Sequence, residues 1–277
     1  DPHHVIHEIR KNFKKIRAAL RLIRDHVDFY KPENVFYRDL VILVSYIRDA
    51  TSVIEASNLI YKQHSKELYK NAFSSWFSFL QKRRDKLAKK ILPKENALEK
   101  IRKDLEKKLP QISDWDINIK HFDNIKPSIG RVYQRGKDAY EKVLETKDPA
   151  DFHEWRKRVK YLMYQLEMLR RIWPDLLKTW EDELHKLSDC LGTDRDLFML
   201  DNLIAGNEDK FKNDDNHYLL KSLIDEHRQQ LQNHALLLGQ RLYSLPTEHF
   251  SQLLESAWKA FDQELSPDIM PRKQLKK

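Results

Sequence analysis

Apolar residues recur at the i, i+3, i+4, i+7 spacing of amphipathic helices through most of the chain. The pattern predicts helices over 4–28, 33–62 and 65–92, with Lys31-Pro32 and Pro93 as stops. A short charged segment, 94–109, ends at Pro110. The stretch 111–127 carries no long periodic run and reads as a connector. Further helices are predicted over 128–145, 150–172, 174–205, 209–243 and 247–264. Asp148 as N-cap with Pro149 in the first turn marks one start, and Pro174 and Pro246 mark two others. The tail from about 266, ending Arg272-Lys273-Gln274-Leu275-Lys276-Lys277, is expected to be disordered. The strongest apolar run, Leu40-Val41-Ile42-Leu43-Val44, is far shorter than the ~18 residues of a membrane span and reads as a buried helix segment.

Composition sharpens this into an all-α expectation. The chain has 277 residues, enough for one large domain or two small ones with a sizeable core. It holds only 5 glycines, too few for a sandwich or barrel with many tight turns. Lys+Arg is 51 against 43 Asp+Glu, a net charge of +8, which points modestly to an anionic partner and makes the placement of the bases decisive. The single cysteine, Cys190, rules out an internal disulfide framework and a multi-cysteine zinc site. It fits a reducing compartment, and its apolar helical setting reads as core rather than nucleophile. No signal-peptide pattern is visible near the N-terminus, so a cytoplasmic location is expected.

Comparing the halves reveals a repeat. His7-Glu8-Ile9-Arg10-Lys11-Asn12-Phe13-Lys14 and His153-Glu154-Trp155-Arg156-Lys157-Arg158-Val159-Lys160 both read H-E-x-R-K-x-x-K, 146 residues apart. Arg48-Asp49 and Arg195-Asp196 lie 147 residues apart. Two motifs at nearly one offset imply a tandem duplication of a helical bundle, dividing the chain at about 1–148 and 149–277.

At 100° per residue with His7 at zero, Arg10, Lys14, Arg17 and Arg21 fall between about 280° and 340°, with Lys11 near 40° and Arg24 near 260°. Ile9, Phe13, Ile16, Leu20 and Ile23 fall between about 160° and 240°. A basic stripe therefore runs beside a core stripe. The second copy keeps the core stripe as Trp155, Val159, Leu162, Leu166 and Leu169, and begins the basic one with His153, Arg156, Lys157 and Lys160. Met163 and Glu167 then stand where the first copy has Arg17 and Arg21, so the first helix is the stronger anion binder. Like charges at these spacings repel by a few tenths of a kcal/mol per pair. A single such face reads equally as solvated surface or as a binding site, but one repeated in both halves argues for a selected partner. Cations one turn apart suit a long polyanion with regularly spaced phosphates better than a compact ligand.

Among the 12 histidines, His3, His4 and His7 are near neighbours, but His-Glu-x-x-His is absent and the cationic surroundings disfavour a metal. No cofactor is implied. There is no Gly-rich phosphate loop and no Ser/His/Asp signature, and Asp194/Asp196 beside Arg195 reads equally well as a structural ion pair. An enzyme is therefore not expected; a metal-dependent phosphohydrolase would need acids clustered on the basic face. A nucleic-acid or generic polyanion binder is the alternative. Against it, few aromatics are placed to stack bases: Trp155 lies on the core stripe, and Tyr164 is the one obvious exception.

The two H-E-x-R-K-x-x-K helices, the Arg-Asp motifs in Ile47-Arg48-Asp49-Ala50 and Leu191-Gly192-Thr193-Asp194-Arg195-Asp196-Leu197, and Arg131-Val132-Tyr133-Gln134-Arg135-Gly136-Lys137 resemble the CHAD family, the conserved-histidine α-helical domains. The resemblance covers about 3–264 and implies two pseudo-symmetric four-helix bundles with a basic groove or channel between them. It further implies binding of inorganic polyphosphate and recruitment to polyphosphate granules. The implied contacts are His7, Arg10, Lys11, Lys14, Arg17, Arg21, Arg48, Arg131, Arg135, His153, Arg156, Lys157, Lys160 and Arg195. The chain departs from the family pattern at Ser52, Met163 and Glu167. Some members carry a fused triphosphate-tunnel domain; nothing like its alternating charged strands appears here, so hydrolysis is not implied. Whether Arg83, Arg84, Lys86 and Lys90 join the groove or solvate the third helix is left open by sequence, as are chain-length preference and oligomeric state.

Overall fold

A computed structural model describes residues 2–65, 70–94, 97–207 and 215–265. The fold is all-α. The helices are α1 (Pro2–Leu22), α2 (Tyr30–Gln63), α3 (Lys70–Lys94), α4 (Ala97–Ser113), α5 (Lys126–Thr146), α6 (Pro149–Leu169), α7 (Pro174–Ala205), α8 (Asp215–Leu242) and α9 (Thr247–Glu264). Short 3-10 turns at Phe122–Asn124 and Arg170–Ile172 lead into α5 and out of α6. The expected disordered tail from 266 lies outside the described residues, as do positions 209–214 at the start of the helix predicted over 209–243.

Four helix boundaries differ from the sequence expectation. α1 stops at Leu22 rather than near 28. Beyond it the chain turns, with the His26 amide donating to the Ile23 carbonyl at 2.9 Å. The side chain of Asp25 is taken up by Ser128 and Arg131 instead of continuing the helix. α2 begins at Tyr30, so Lys31-Pro32 opens this helix rather than ending the previous one. Proline in a first turn removes only an amide that has no intrahelical partner. α3 continues one residue past Pro93. The charged segment after it is a true helix, α4, which runs through Pro110 to Ser113. Leu98, Ile101, Leu105 and Ile112 of α4 recur at helical spacing, although only Ala97 and Ile101 are buried. Ion pairs one turn apart, Arg102 with Glu99 and Glu106 and Lys103 with Glu99, also support it. Elsewhere the local signals hold. Lys147 closes α5 in the left-handed region at φ 52°, and the Asp148 carboxylate then accepts from the Ala150 amide at 2.7 Å, capping α6 above Pro149.

The helices form two compact units that interleave along the chain. The first comprises Asp1–Lys14, Pro32–Asp116 and Cys190–Ala235, and the second Lys15–Lys31, Ile117–Asp189 and Leu236–Lys277. The core of the first is built on Val53, Ile60, Trp76, Leu80, Leu197, Leu200 and Ile224. Lys108 of α4 reaches the buried carboxylate of Glu33 in the first turn of α2 and tethers the charged helix.

In the second unit α5 packs on α6 and α9. Tyr133 stacks on Phe250 at 4.1 Å between ring centroids, and its hydroxyl donates to the carbonyls of Leu242 and Leu245. Burial, opposed by the Leu245 bond, pushes the Tyr133 phenol up to about 12, so this tyrosine acts as a neutral donor. Trp155, fully buried, sits 5.3 Å from Tyr140. Gln165 donates to the Ala18 carbonyl at 3.1 Å and fixes α6 against α1.

Gly239 is, with Gly136, one of two close approaches in this packing. A methyl group at Gly239 would lie 2.6 Å from both Trp155 and Tyr140. Glycine to alanine inside a helix normally gains up to about 1 kcal/mol, whereas overpacking a core costs about 1–3 kcal/mol. Because rigid aromatic rings cannot swing aside, Gly239→Ala is expected to lower unfolding free energy by about 1–2 kcal/mol in a urea titration. A variant as stable as the parent would contradict this packing.

Candidate functional site

The expected site residues divide between the two units. His7, Arg10, Lys11 and Lys14 of α1, Arg48 of α2 and Arg195 of α7 belong to the first. Arg17 and Arg21 of α1, Arg131 and Arg135 of α5, and His153, Arg156, Lys157 and Lys160 of α6 belong to the second.

The second unit gathers arginines. A narrow cleft is lined by Arg21, Arg24, Arg131, Arg135 and Arg158, together with Ser128, Val132 and Tyr161. Packing of α5 on α6, and the Gln165 tie to α1, bring these side chains from three stretches of chain to one place. The Arg21 guanidinium lies 4.0 Å above the Tyr161 ring and donates to the Arg17 carbonyl at 2.8 Å. This stacked arrangement holds a flat cation with little loss of freedom on binding. Burial is the largest influence on Arg21 and lowers its pKa, opposed by Tyr161 and reinforced by the charge of Arg17.

Two carboxylates serve this cluster. Asp25 accepts from Ser128 at 3.0 Å and from Arg131 at 3.1 Å, and lies 3.4 Å from Arg24. Burial works to raise its pKa, but the bonds from Ser128 and Arg131 and the charges of Arg131 and Arg24 outweigh that and hold it below the ordinary carboxylate value. Glu154 pairs with both Lys157 and Arg158. Among the described residues Arg135 is exposed and has no ion pair. Five guanidiniums and Lys157 thus share two acids, leaving the cleft positive.

The later part of the second basic helix is not basic. Met163 is buried in the core, and Glu167 accepts from Lys15 at 2.5 Å. Tyr164 is buried as well, with the Lys15 ammonium 5.7 Å from its ring centre, so it offers no exposed face for a base.

The first unit arranges its motif residues around acids. Asp49 lies 3.7 Å from Arg10 and 3.6 Å from Arg195, so the two Arg-Asp motifs and α1 meet at one carboxylate. Arg48 pairs with Glu55 at 2.8 Å. Lys11 lies 3.9 Å from Glu8. Burial and the nearby charge of Arg48 lower the pKa of His7, against the effect of Glu8. Asp194 is buried and accepts from Arg228 at 3.1 Å and Gln232 at 2.9 Å; burial raises its pKa, and those two partners oppose the rise. The Asp194/Asp196 pair is thereby accounted for: one acid is a buried anchor for α8 and the other lies 3.3 Å from Arg195. Among the described residues no group of three or more His, Cys, Asp or Glu side chains is placed to hold a metal ion. No helix there is long and apolar enough to cross a membrane.

Arg158, Tyr161 and Ser128 were not among the expected contacts, and Arg24 was seen only as an extension of the stripe. Arg158 occupies an unspecified position of H-E-x-R-K-x-x-K, about 200° around the helix from Arg156. The cleft depends on where three stretches of chain meet, which the periodicity of one helix does not encode.

A family model described as CHAD domain matches residues 1–205. No curated protein and no solved structure matches the chain. All the arginines of the cleft lie inside the matched segment, whereas Arg228, Gln232 and α9 lie beyond it.

Breaking a buried ion pair from one side strands the other charge. Arg228→Met is therefore expected to cost about 3–5 kcal/mol at pH 7. The folded pKa of Asp194 is raised, so folded protein binds the proton more tightly and stability falls as pH rises above the unfolded value near 3.9. The loss in the variant should be smaller at pH 4 than at pH 7, as read from urea unfolding at both. An equal loss at the two pH values would show that Asp194 is not the stranded charge.

Proposed function

The chain belongs to the CHAD domain family, and from that membership and the arginine cleft of the second unit we propose that it binds inorganic polyphosphate without catalysis. The observation that carries the reading is the excess of guanidinium over carboxylate in the second unit. A guanidinium presents a rigid fork of donors that matches two phosphate oxygens at once and stays charged throughout the physiological range. The cluster stands ready for an anion whose oxygens supply the charge that Asp25 and Glu154 do not.

In this reading Arg21, Arg131 and Arg135 take phosphates in the cleft, with Arg24 and Arg158 beside them. His153, Arg156, Lys157 and Lys160 on α6, with Arg17 on α1, extend the basic groove. Arg10, Lys11, Lys14, Arg48, Arg195 and His7 offer phosphate contacts within the first unit. Each contact displaces condensed counterions, so neutralising about eight phosphates gives a log–log salt slope of about −6. The burial of Tyr164 and Trp155 speaks against base stacking and so against single-stranded nucleic acid. A cytoplasmic location and recruitment to polyphosphate granules complete the proposal.

The test is a titration with long-chain polyphosphate and with single-stranded DNA, at equal phosphate concentration and ~150 mM salt. Much tighter binding of polyphosphate is expected. Equal binding of the two would contradict selectivity and favour a generic polyanion surface. The Arg10→Ala/Arg156→Ala double variant should lose binding while keeping its helical circular dichroism; unchanged binding would remove these residues from the site.

A pH dependence follows from His7. Its lowered pKa keeps it neutral at pH 7, and a bound polyanion favours the imidazolium. Binding therefore takes up a proton, and affinity should strengthen as pH falls from 7.5 towards 6, by up to about tenfold per unit for one linked proton. His7→Gln should flatten that dependence in the same titration. An unaltered pH profile would exclude His7 from the contact.

A further inference from the structure

One face of α3 concentrates charge outside every motif considered so far. The first half of this helix is anchored, with Trp76 and Leu80 buried in the core of the first unit. From residue 81 to 90 no side chain is buried. Lys82, Arg83, Lys86, Lys89 and Lys90 are all exposed and fall within about 120° of the helix circumference, along about 12 Å of its axis. Asp85, the one acid of this stretch, is held by Arg84 through hydrogen bonds of 3.0 and 2.8 Å. Among the described residues none of the five cations has a carboxylate partner. Lys86 faces the other four at three- and four-residue spacing, an arrangement that disfavours the helix unless an anion relieves it.

We propose that this face is a second docking surface for polyphosphate, which it holds by diffuse charge contacts along the helix rather than in a pocket. The inference rests on the polyphosphate-binding reading. The chemistry of the face selects this partner over others. Four of its five cations are lysines, strongly hydrated point charges that accept a mobile, repeating anion without demanding fork geometry. Phe77 and Phe79 pack against the core, so no ring is presented for stacking on a base. No large apolar side chain between 74 and 90 is exposed, so the helix has nothing to insert into a lipid surface. The open face gives little purchase to a ligand of two or three phosphates, which the arginine cleft takes instead.

The test replaces Lys82, Arg83, Lys86, Lys89 and Lys90 by glutamine, a good helix former. A charge-matched control carries glutamine at Lys120, Lys142, Lys147, Arg171 and Lys178, all exposed in the second unit. Both are titrated with long-chain polyphosphate and with tripolyphosphate across 50–300 mM salt, with helicity checked by circular dichroism. The α3 variant is expected to bind long chains about tenfold more weakly at 150 mM salt, with a log–log slope shallower by about 3. Its affinity for tripolyphosphate should stay within about twofold of the parent, and the control should match the parent with both ligands. Long-chain binding unchanged in the α3 variant, or an equal loss in the control, would overturn the inference while leaving polyphosphate binding standing. Failure of the parent itself to bind either ligand would overturn the functional reading, and the α3 surface with it.

Discussion

Crowding guanidinium groups into one cleft is the constraint around which the second unit is organised. Like charges near a protein surface repel by up to a few kcal/mol at contact distance, and water is only partly available to screen them in a recess. The cluster persists because the groups are held by something other than their charge. Arg21 is pinned on the Tyr161 ring and to the Arg17 carbonyl. Arg131 and Arg24 share Asp25, and Arg158 is held by Glu154. In the same unit the stacked Tyr133–Phe250 pair, the buried Trp155 and the close approach of Gly239 make a tightly packed core. Rigid aromatic packing thus fixes charges in a place that an unconstrained chain would avoid, and a multivalent anion is the natural complement.

The first unit solves a related problem differently. There the motif arginines are matched by acids: Asp49 with Arg10 and Arg195, Glu55 with Arg48, and Asp194 with Arg228. Exposed pairs of this sort contribute little stability, so their effect is to orient side chains. Buried Asp194 is the exception, because its charge is tolerable only while Arg228 and Gln232 hold it. Oriented cations on one unit, clustered cations on the other and a diffuse lysine face on α3 are three ways of presenting positive charge.

Most of the fold was legible in the helical period. The limits of α9, Thr247–Glu264, match the predicted segment, and Asp148 caps α6 as its position implies. α4 escaped because Pro93 and Pro110 bracket a heavily charged segment and read as breaks, although Leu98, Ile101, Leu105 and Ile112 keep the helical period and the helix runs through Pro110. The expected first helix runs to 28 because Lys31-Pro32 is the nearest breaker, whereas Asp25, bonded to Ser128 more than a hundred residues away, helps turn the chain after Leu22. The same distinction governs the site. The repeated H-E-x-R-K-x-x-K helices were visible as local patterns. The cleft was not, because Arg24, Ser128, Arg158 and Tyr161 become neighbours only through packing.

The central claim is that the arginine cleft is an anion site and not merely a charged surface. The most direct measurement is the unfolding midpoint with and without tripolyphosphate at constant ionic strength, for the parent and for Arg131→Gln/Arg135→Gln. A ligand that binds only folded protein stabilises it by about 2.7 kcal/mol at a hundredfold excess over its Kd. The account predicts a raised midpoint in the parent and little or no rise in the variant. The same rise in both proteins, or none in the parent, would contradict it.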